Sequence, residues 1–127
     1  MSEVVLAVGP SHTLREAARR MTEKGVGAAL VLDEESPAPR IITERDVLTS
    51  VGRGEDPDAE RVTDHMSEKV IAADPGWSLE RAAVEMSRRG IRHLVVYENA
   101  EVAGVLSMRD IVRCWTQDGA TSGMTPD

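Results

Sequence analysis

Two four-residue stretches of the chain place a hydroxyl and an aspartate at the same spacing, Thr43-Glu44-Arg45-Asp46 and Ser107-Met108-Arg109-Asp110. A hydroxyl followed three residues later by an acid is typical of a helix N-cap, where both side chains accept backbone N–H bonds. A carboxylate in the first helical turn can also accept hydrogen bonds from a vicinal diol such as a ribose, and the helix N-terminus favours anions. A helix cap accounts for either stretch taken alone, and the recurrence of the pair in the same register raises the odds of an additional role in binding.

The two stretches belong to a duplicated sequence. The chain opens with MSEVVLAVGP at Met1, and MSEKVIAADP follows at Met66. A shift of 65 residues keeps the two halves aligned over a proline, an apolar stripe and a glycine, and a shift of 64 then aligns IITERDV (41–47) with VLSMRDI (105–111). The shared order of features indicates a duplication, so the two halves are expected to have the same fold.

Each half predicts the order strand, helix, strand, strand, helix. The first helix carries apolar residues at i, i+3, i+4 and i+7 and ends at Gly25 or Gly90. Short apolar runs at 28–32 and 93–97 predict strands; 33–40 and 98–101 look like turns, followed by strands at 41–42 and 102–106. Closing helices are expected near 44–51 and 108–116.

The predicted fold class is α/β, with two pseudo-symmetric β-α-β-β-α repeats packed face to face. A repeat of about 50 residues buries too little surface to be stable alone, so two copies are expected to share a core. We predict repeats at 1–52 and 66–116, a linker at 53–65 with a short helix in 58–65, and a flexible tail at 117–127. The second repeat has the lead-in RVTDH before its Met-Ser-Glu, so the first either lacks this segment or continues upstream of Met1.

Composition argues against several functions. A formal net charge of −7 and an aromatic content of 2% disfavour nucleic-acid binding. No signal peptide or membrane span is predicted, and the single cysteine, Cys114, suits the cytosol, which we expect as the location. The content of Ala, Gly, Val and Arg in the chain suggests a bacterial source.

The residues that could form a catalytic or metal site show no suitable pattern. The three histidines show no metal-ligand spacing, and no catalytic triad can be assigned. Acidic loops such as Glu55-Asp56 are interpreted as solvated surface. We therefore predict neither enzyme activity nor an obligatory cofactor.

Two motifs of the second half carry a family resemblance. GIRHLVV (90–96) and GVLSMRD (104–110), within duplicated strand–helix–strand–strand–helix halves, resemble a tandem pair of CBS domains, a Bateman module, over residues 1 to about 116. The resemblance implies an α/β disk with two clefts that bind AMP, ADP or ATP, sometimes S-adenosylmethionine. It also implies a regulatory role, assembly as a homodimer and a protein target that the sequence does not identify.

The resemblance also implies site residues. Asp110 and Ser107 would hold the ribose and a nearby phosphate, with Val105 against the adenine and Arg92 and His93 at basic positions that reach phosphate. The first strand of the opposite half, around 6–12, would complete this cleft. The equivalent cleft would use Thr43, Asp46 and Ile41 together with residues 71–77, where Trp77 is either a packing residue or a ligand contact.

The first half departs from the family pattern. It has Arg40 where the second half has Gly104, and Ala28-Ala29 where the second has His93-Leu94. We expect the loss of the basic residue to remove phosphate ligands, whereas Arg40 either reaches a phosphate or alters the turn. The cleft at Asp110 is therefore expected to bind more strongly.

Three functions follow from this resemblance. The leading one is a sensor of an adenosyl ligand that acts in trans on a partner. The second is a nucleotide-independent dimeric scaffold. The third is a stress-, redox- or metal-responsive protein, because GRGEDPDAERVTDHMS (52–67) is similar in layout to the inter-repeat segment of small stand-alone CBS-pair proteins of actinobacteria.

Overall fold

The computed structural model describes residues 6–67, 70–99 and 101–117. The described chain divides into two compact units between Val70 and Ile71. Each unit has the predicted order of strand, helix, strand, strand and helix. The elements are β1 (Ala7–Val8), α1 (Leu14–Lys24), β2 (Ala28–Asp33), β3 (Ser36–Thr43), α2 (Glu44–Gly52), β4 (Ala72–Ala73), α3 (Leu79–Arg89), β5 (His93–Glu98), β6 (Glu101–Ser107) and α4 (Met108–Gln117).

Each unit contains one three-stranded mixed sheet, with order β1-β2-β3 in the first and β4-β5-β6 in the second. The first strand pairs parallel to the middle strand, and the third pairs antiparallel to it. The prediction of a turn-like segment over 33–40 was wrong in extent, because β3 already begins at Ser36. A proline has no N–H to donate to a neighbouring strand. Pro37 and Pro39 are tolerated because β3 is an edge strand in the sheet order β1-β2-β3.

The first helix of each unit is amphipathic and is capped as predicted. Its buried face holds Leu14, Ala17 and Met21 in α1 and Ala82 and Met86 in α3. The side chains of Thr13 and Ser78 accept the amides of Glu16 and Arg81 at the N-termini. Both helices end at a glycine in the left-handed conformation, with φ of 68° at Gly25 and 65° at Gly90. No helix in these described stretches has the length and apolar character needed to cross a membrane.

Replacement of either capping glycine by alanine is expected to lower the free energy of unfolding by about 1 kcal/mol. A Cβ at Gly25 or Gly90 meets nothing within 4 Å, so the cost arises from the backbone conformation and not from a clash. Chemical denaturation of both single variants measures the two losses. Gly52→Ala, also in open space but without a positive φ, is the control. A loss at Gly52 as large as at Gly25 would contradict the conformational explanation.

A hydrophobic core lies between the helices and one face of the sheet in each unit. In the first unit it contains residues of β1, α1, β2 and β3 together with Val62, which is fully buried. In the second unit it contains residues of β4, α3, β5, β6 and α4. Most core residues of each unit come from the predicted apolar runs and helix stripes. Val8, Val62 and Ala73 lie outside them, and Ile111 belongs to the predicted closing helix.

The segment between the repeats contains one short helix. Within residues 58–65, where a short helix is predicted, the structure has the 3₁₀ helix Val62–Asp64. Backbone hydrogen bonds join this segment to the start of α1, from the Leu14 amide to the Glu60 carbonyl and from the Val62 amide to the His12 carbonyl. The predicted repeat and linker boundaries stay a prediction, and residues 118–127 of the predicted tail lie outside the described residues.

Candidate functional site

In the second unit, Ser107 and Asp110 form a reciprocal cap at the start of α4. The Ser107 amide donates to Asp110 Oδ2 at 3.1 Å, and the Asp110 amide donates to Ser107 Oγ at 3.0 Å. The amide of Met108 donates to the carbonyl of Arg92 at 2.9 Å, which fixes the helix start next to the beginning of β5. The cap uses one carboxylate oxygen, and a carboxylate can accept about four hydrogen bonds. Asp110 therefore keeps acceptor capacity for a diol.

The register of β5 and β6 places further predicted residues beside this cap. His93 lies opposite Ser107, and Val95 lies opposite Val105. Directly opposed residues share a sheet face, so these four side chains lie on one face. The alternate residues Leu94, Val96 and Leu106 belong to the hydrophobic core on the other face. The face that bears Val105 therefore combines an apolar surface with a polar end formed by His93 and Ser107.

Arg92 directly precedes β5 and is exposed, while His93 is half-buried. Since the Arg92 carbonyl accepts the first amide of α4, its backbone is adjacent to the cap. The structure thus brings all five residues predicted for the second repeat to one place, where β5 begins and β6 meets α4. Their roles in binding stay predictions.

The first unit repeats the arrangement with Thr43 and Asp46. The Thr43 amide donates to Asp46 Oδ2 at 2.8 Å, and the Asp46 amide donates to Thr43 Oγ1 at 3.3 Å. The Glu44 amide donates to the Gly27 carbonyl, as Met108 does to Arg92. Ile41 is buried opposite Leu30, on the same sheet face as Thr43. The three residues predicted for the first repeat are therefore also brought together.

The two caps differ in the number of hydrogen bonds that the aspartate Oδ2 accepts. Thr43 Oγ1 also donates to Asp46 Oδ2 at 3.0 Å, so this oxygen accepts two hydrogen bonds. In the cap at Asp110, within the described part of the chain, Oδ2 accepts one hydrogen bond, from the Ser107 amide. Asp46 consequently has less remaining capacity to accept hydrogen bonds from a ligand.

The charge beside the two caps differs as well. Gly27 of the first unit corresponds to Arg92 of the second, because both carbonyls accept the first amide of the closing helix. A Cβ at Gly27 would lie 3.1 Å from both carboxylate oxygens of Glu44. A carboxylate thus lies beside this position of the first unit, where it disfavours a phosphate, whereas the second unit has an arginine.

The structure places Trp77, for which two interpretations were open, and Cys114. Trp77 packs against the core of the second unit, and the guanidinium of Arg81 lies 4.2 Å from the centroid of its ring. This arrangement favours the packing interpretation, since both the core and a cation–π contact hold the ring. Cys114 is a partly buried free thiol.

Sequence reasoning missed one cluster, formed by Glu55, Glu60 and His65 in the first unit. Glu55, interpreted as part of a solvated acidic loop, is half-buried, and its carboxylate also accepts a hydrogen bond from the buried hydroxyl of Ser50 at 2.8 Å. The three residues are five positions apart, a spacing that matches no metal-ligand motif. Their proximity arises from the fold of the segment.

Comparison with known proteins is consistent with this architecture. The model of the CBS domain family matches residues 1–53 and 62–116. Protein MK0525 of Methanopyrus kandleri is 34% identical over 111 residues, which are 86% of this chain but 57% of that protein. The chain therefore spans little more than half the length of this relative.

Two solved structures are also similar. A putative signal-transduction protein with CBS domains from Burkholderia ambifaria is 31% identical with a TM-score of 0.82, over 91% of this chain and 85% of that one. The CBS domain protein PAE2072 of Pyrobaculum aerophilum, solved in complex with AMP, is 29% identical with a TM-score of 0.77, over 95% of each chain. On the family match, the duplicated fold and these structures, the chain belongs to the CBS domain family.

Proposed function

We propose that this protein is a regulatory module that binds an adenosyl ligand, with AMP as the leading candidate, at the cap of α4. The observation that carries the proposal is the reciprocal Ser107–Asp110 cap, which lies at the polar end of the sheet face that bears Val105. The AMP complex of the similar protein PAE2072 supports the choice of ligand. In this proposal the chain is a sensor and not an enzyme.

Each part of AMP has a matching group in the second unit. Asp110 accepts hydrogen bonds from the ribose hydroxyls through the acceptor capacity that the cap leaves. The adenine lies against Val105, which provides an apolar surface. The phosphate is held by Arg92 and by the hydroxyl of Ser107, with His93 beside it, since a guanidinium forms strong charge-assisted hydrogen bonds with phosphate.

The proposed mode of action is regulation of a separate protein by a homodimer in the cytoplasm. A ligand that binds Asp110 and Ser107 contacts the residues that fix the start of α4, so binding stabilises one conformation of that helix end. A target that distinguishes this conformation would respond to the ligand. The predicted face-to-face packing of the repeats and the disk-like dimer belong to this proposal.

Isothermal titration of the tag-free protein with AMP, ADP, ATP, adenosine, S-adenosylmethionine and GMP tests the proposal. We expect AMP to bind more tightly than adenosine and GMP to bind weakly or not at all. Arg92→Gln is expected to weaken AMP binding about 10-fold or more and to leave adenosine binding nearly unchanged, because it removes a charged contact to phosphate alone.

Arg88→Gln is the matched control, since Arg88 is exposed on α3 and its carboxylate partner is Glu85. It is expected to leave the affinity for every ligand unchanged. Equal weakening by both arginine substitutions would indicate a general effect of net charge and not a phosphate site. If no adenosyl ligand binds, the sensor proposal fails and the nucleotide-independent scaffold becomes the better interpretation.

A further inference from the structure

Two carboxylates and one imidazole converge in the segment that follows α2. One ligand atom each of Glu55, Glu60 and His65 lies within 4.8 Å of the other two. His65 Nε2 and Glu60 Oε1 are 2.8 Å apart, and their side chains are 12% and 29% exposed. Two ligands of a tetrahedral ion lie roughly 3.4 Å apart when metal–ligand distances are about 2.1 Å. The separations among the three atoms, 2.8 Å for one pair and within 4.8 Å for all, bracket that value.

The backbone that carries these residues is held in place by the first unit. Glu60 and His65 flank Val62, which is fully buried in the core. The Glu60 carbonyl accepts the Leu14 amide at 3.0 Å, and the amide of His65 donates to the Val62 carbonyl at 3.0 Å. The two ligands are therefore presented by a fixed frame, which lowers the entropic cost of assembling a site.

Glu55 is oriented by groups that are independent of the other two residues. Its carboxylate accepts a hydrogen bond from Ser50 Oγ at 2.8 Å, and its amide donates to the Ser50 carbonyl at 3.2 Å. Ser50 is 1% exposed and lies in α2. In metal sites a ligating carboxylate commonly accepts a hydrogen bond from a neighbouring protein group, which sets the direction of the carboxylate, and the buried hydroxyl of Ser50 is placed to do this.

The charge of the cluster matches a divalent cation. Two carboxylates and a neutral imidazole carry a charge of −2, which one divalent ion neutralises. An imidazole ligand favours first-row transition metals over Mg²⁺ and Ca²⁺, which prefer oxygen ligands. Three protein ligands leave at least one coordination position for water.

We propose that Glu55, Glu60 and His65 form a binding site for a divalent transition-metal ion of the Zn²⁺ class. The site lies wholly within the first unit and uses no residue of the proposed nucleotide site. Metal binding would stabilise the connection between α2 and the 3₁₀ helix at Val62–Asp64, since Glu55 precedes that turn and His65 follows it. The chain would then respond to a metal ion as well as to an adenosyl ligand.

Titration of the metal-free, tag-free protein with Zn²⁺, in the absence of nucleotide, tests the site. We expect one Zn²⁺ per chain with a dissociation constant below about 10 μM, and at least about 10-fold weaker binding for Glu60→Gln and for Glu55→Gln. Mg²⁺ is expected to compete poorly at equal concentration. Co²⁺ offers a second readout, because loss of the imidazole in His65→Ala changes its visible absorption spectrum.

Two controls keep the result specific. Glu35→Gln removes an exposed carboxylate of the same unit, and Cys114→Ser removes the cysteine; both are expected to bind Zn²⁺ like the unmodified protein. Far-UV circular dichroism shows that each variant is folded. Absence of Zn²⁺ binding, or binding that neither glutamine substitution weakens, would overturn the proposal. Since nucleotide is absent, either result is independent of the proposed AMP site.

Discussion

Replacement of Leu14 by alanine is expected to lower the free energy of unfolding by about 3 kcal/mol, whereas Leu79→Ala is expected to cost about 1 kcal/mol. The two leucines occupy equivalent positions at the starts of α1 and α3. Leu14 is 0% exposed, while Leu79 is only partly buried. A truncation at a fully buried site loses more packing and leaves a larger cavity.

The difference arises from the segment between the repeats. The start of α1 is covered by this segment, because the amides of Leu14 and Arg15 donate to the carbonyls of Glu60 and Pro57, and Val62 packs into the same core. The start of α3 lies instead beside Trp77, a partly buried residue at the edge of its core. The starts of two helices of nearly the same sequence pattern are therefore buried to different depths.

Urea denaturation followed by circular dichroism measures the two losses. Met21→Ala and Met86→Ala are the matched control, because this equivalent pair is buried in both units, at 4% and 0% exposure. Their costs are expected to agree within about 1 kcal/mol. Equal losses at Leu14 and Leu79, together with equal losses at the methionines, would show that the segment between the repeats does not contribute to the burial of Leu14.

The repeated order of elements was predictable because its signals are local. The apolar stripes of α1 and α3 and the glycines that end them depend on residues within a few turns, so the sequence alone locates both helices. The caps at Thr43 and Ser107 are of the same kind, and the structure contains both. A signal that occurs twice in the same order is also far less ambiguous than a single one.

The features that the sequence did not predict depend on strand pairing and on how segments are anchored. The start of β3 at Ser36 is fixed by local pairing with Asp33, which overrides the turn signal of the prolines. The cluster of Glu55, Glu60 and His65 depends on the anchoring of Val62 to His12. The site residues of each unit come together through the register of the paired strands. That register is not determined by the positions of these residues in the sequence alone.

The two capping aspartates differ in their hydrogen bonds, and we expect their replacement to change the affinity for AMP by different factors. Asp110→Asn is expected to weaken AMP binding about 30-fold, because a charged acceptor of ribose hydroxyls is replaced by a neutral amide. Asp46→Asn is expected to change AMP binding less than about 3-fold. The reasons are that Asp46 Oδ2 already accepts two hydrogen bonds from Thr43 and that the first unit has Gly27 where the second has Arg92.

Stability separates a binding role from a capping role, since both aspartates cap helices. Asp110→Asn and Asp46→Asn are each expected to lower the free energy of unfolding by about 0.5–1 kcal/mol, because each weakens one cap and removes a charge from a helix N-terminus. Similar losses of stability with unequal losses of AMP affinity would assign ligand binding to the second unit. Equal losses of affinity would instead indicate that both units bind.

A cycle with 2′-deoxy-AMP tests whether Asp110 acts on the ribose itself. In the unmodified protein, loss of the 2′-hydroxyl is expected to weaken binding, because one hydrogen bond to the carboxylate is removed. In Asp110→Asn, AMP and 2′-deoxy-AMP are expected to bind with nearly equal affinity. If the substitution weakens both ligands by the same factor, Asp110 influences binding through the start of α4, and the diol assignment is wrong. AMP titrations unaffected by either aspartate substitution would exclude both caps as the ribose site.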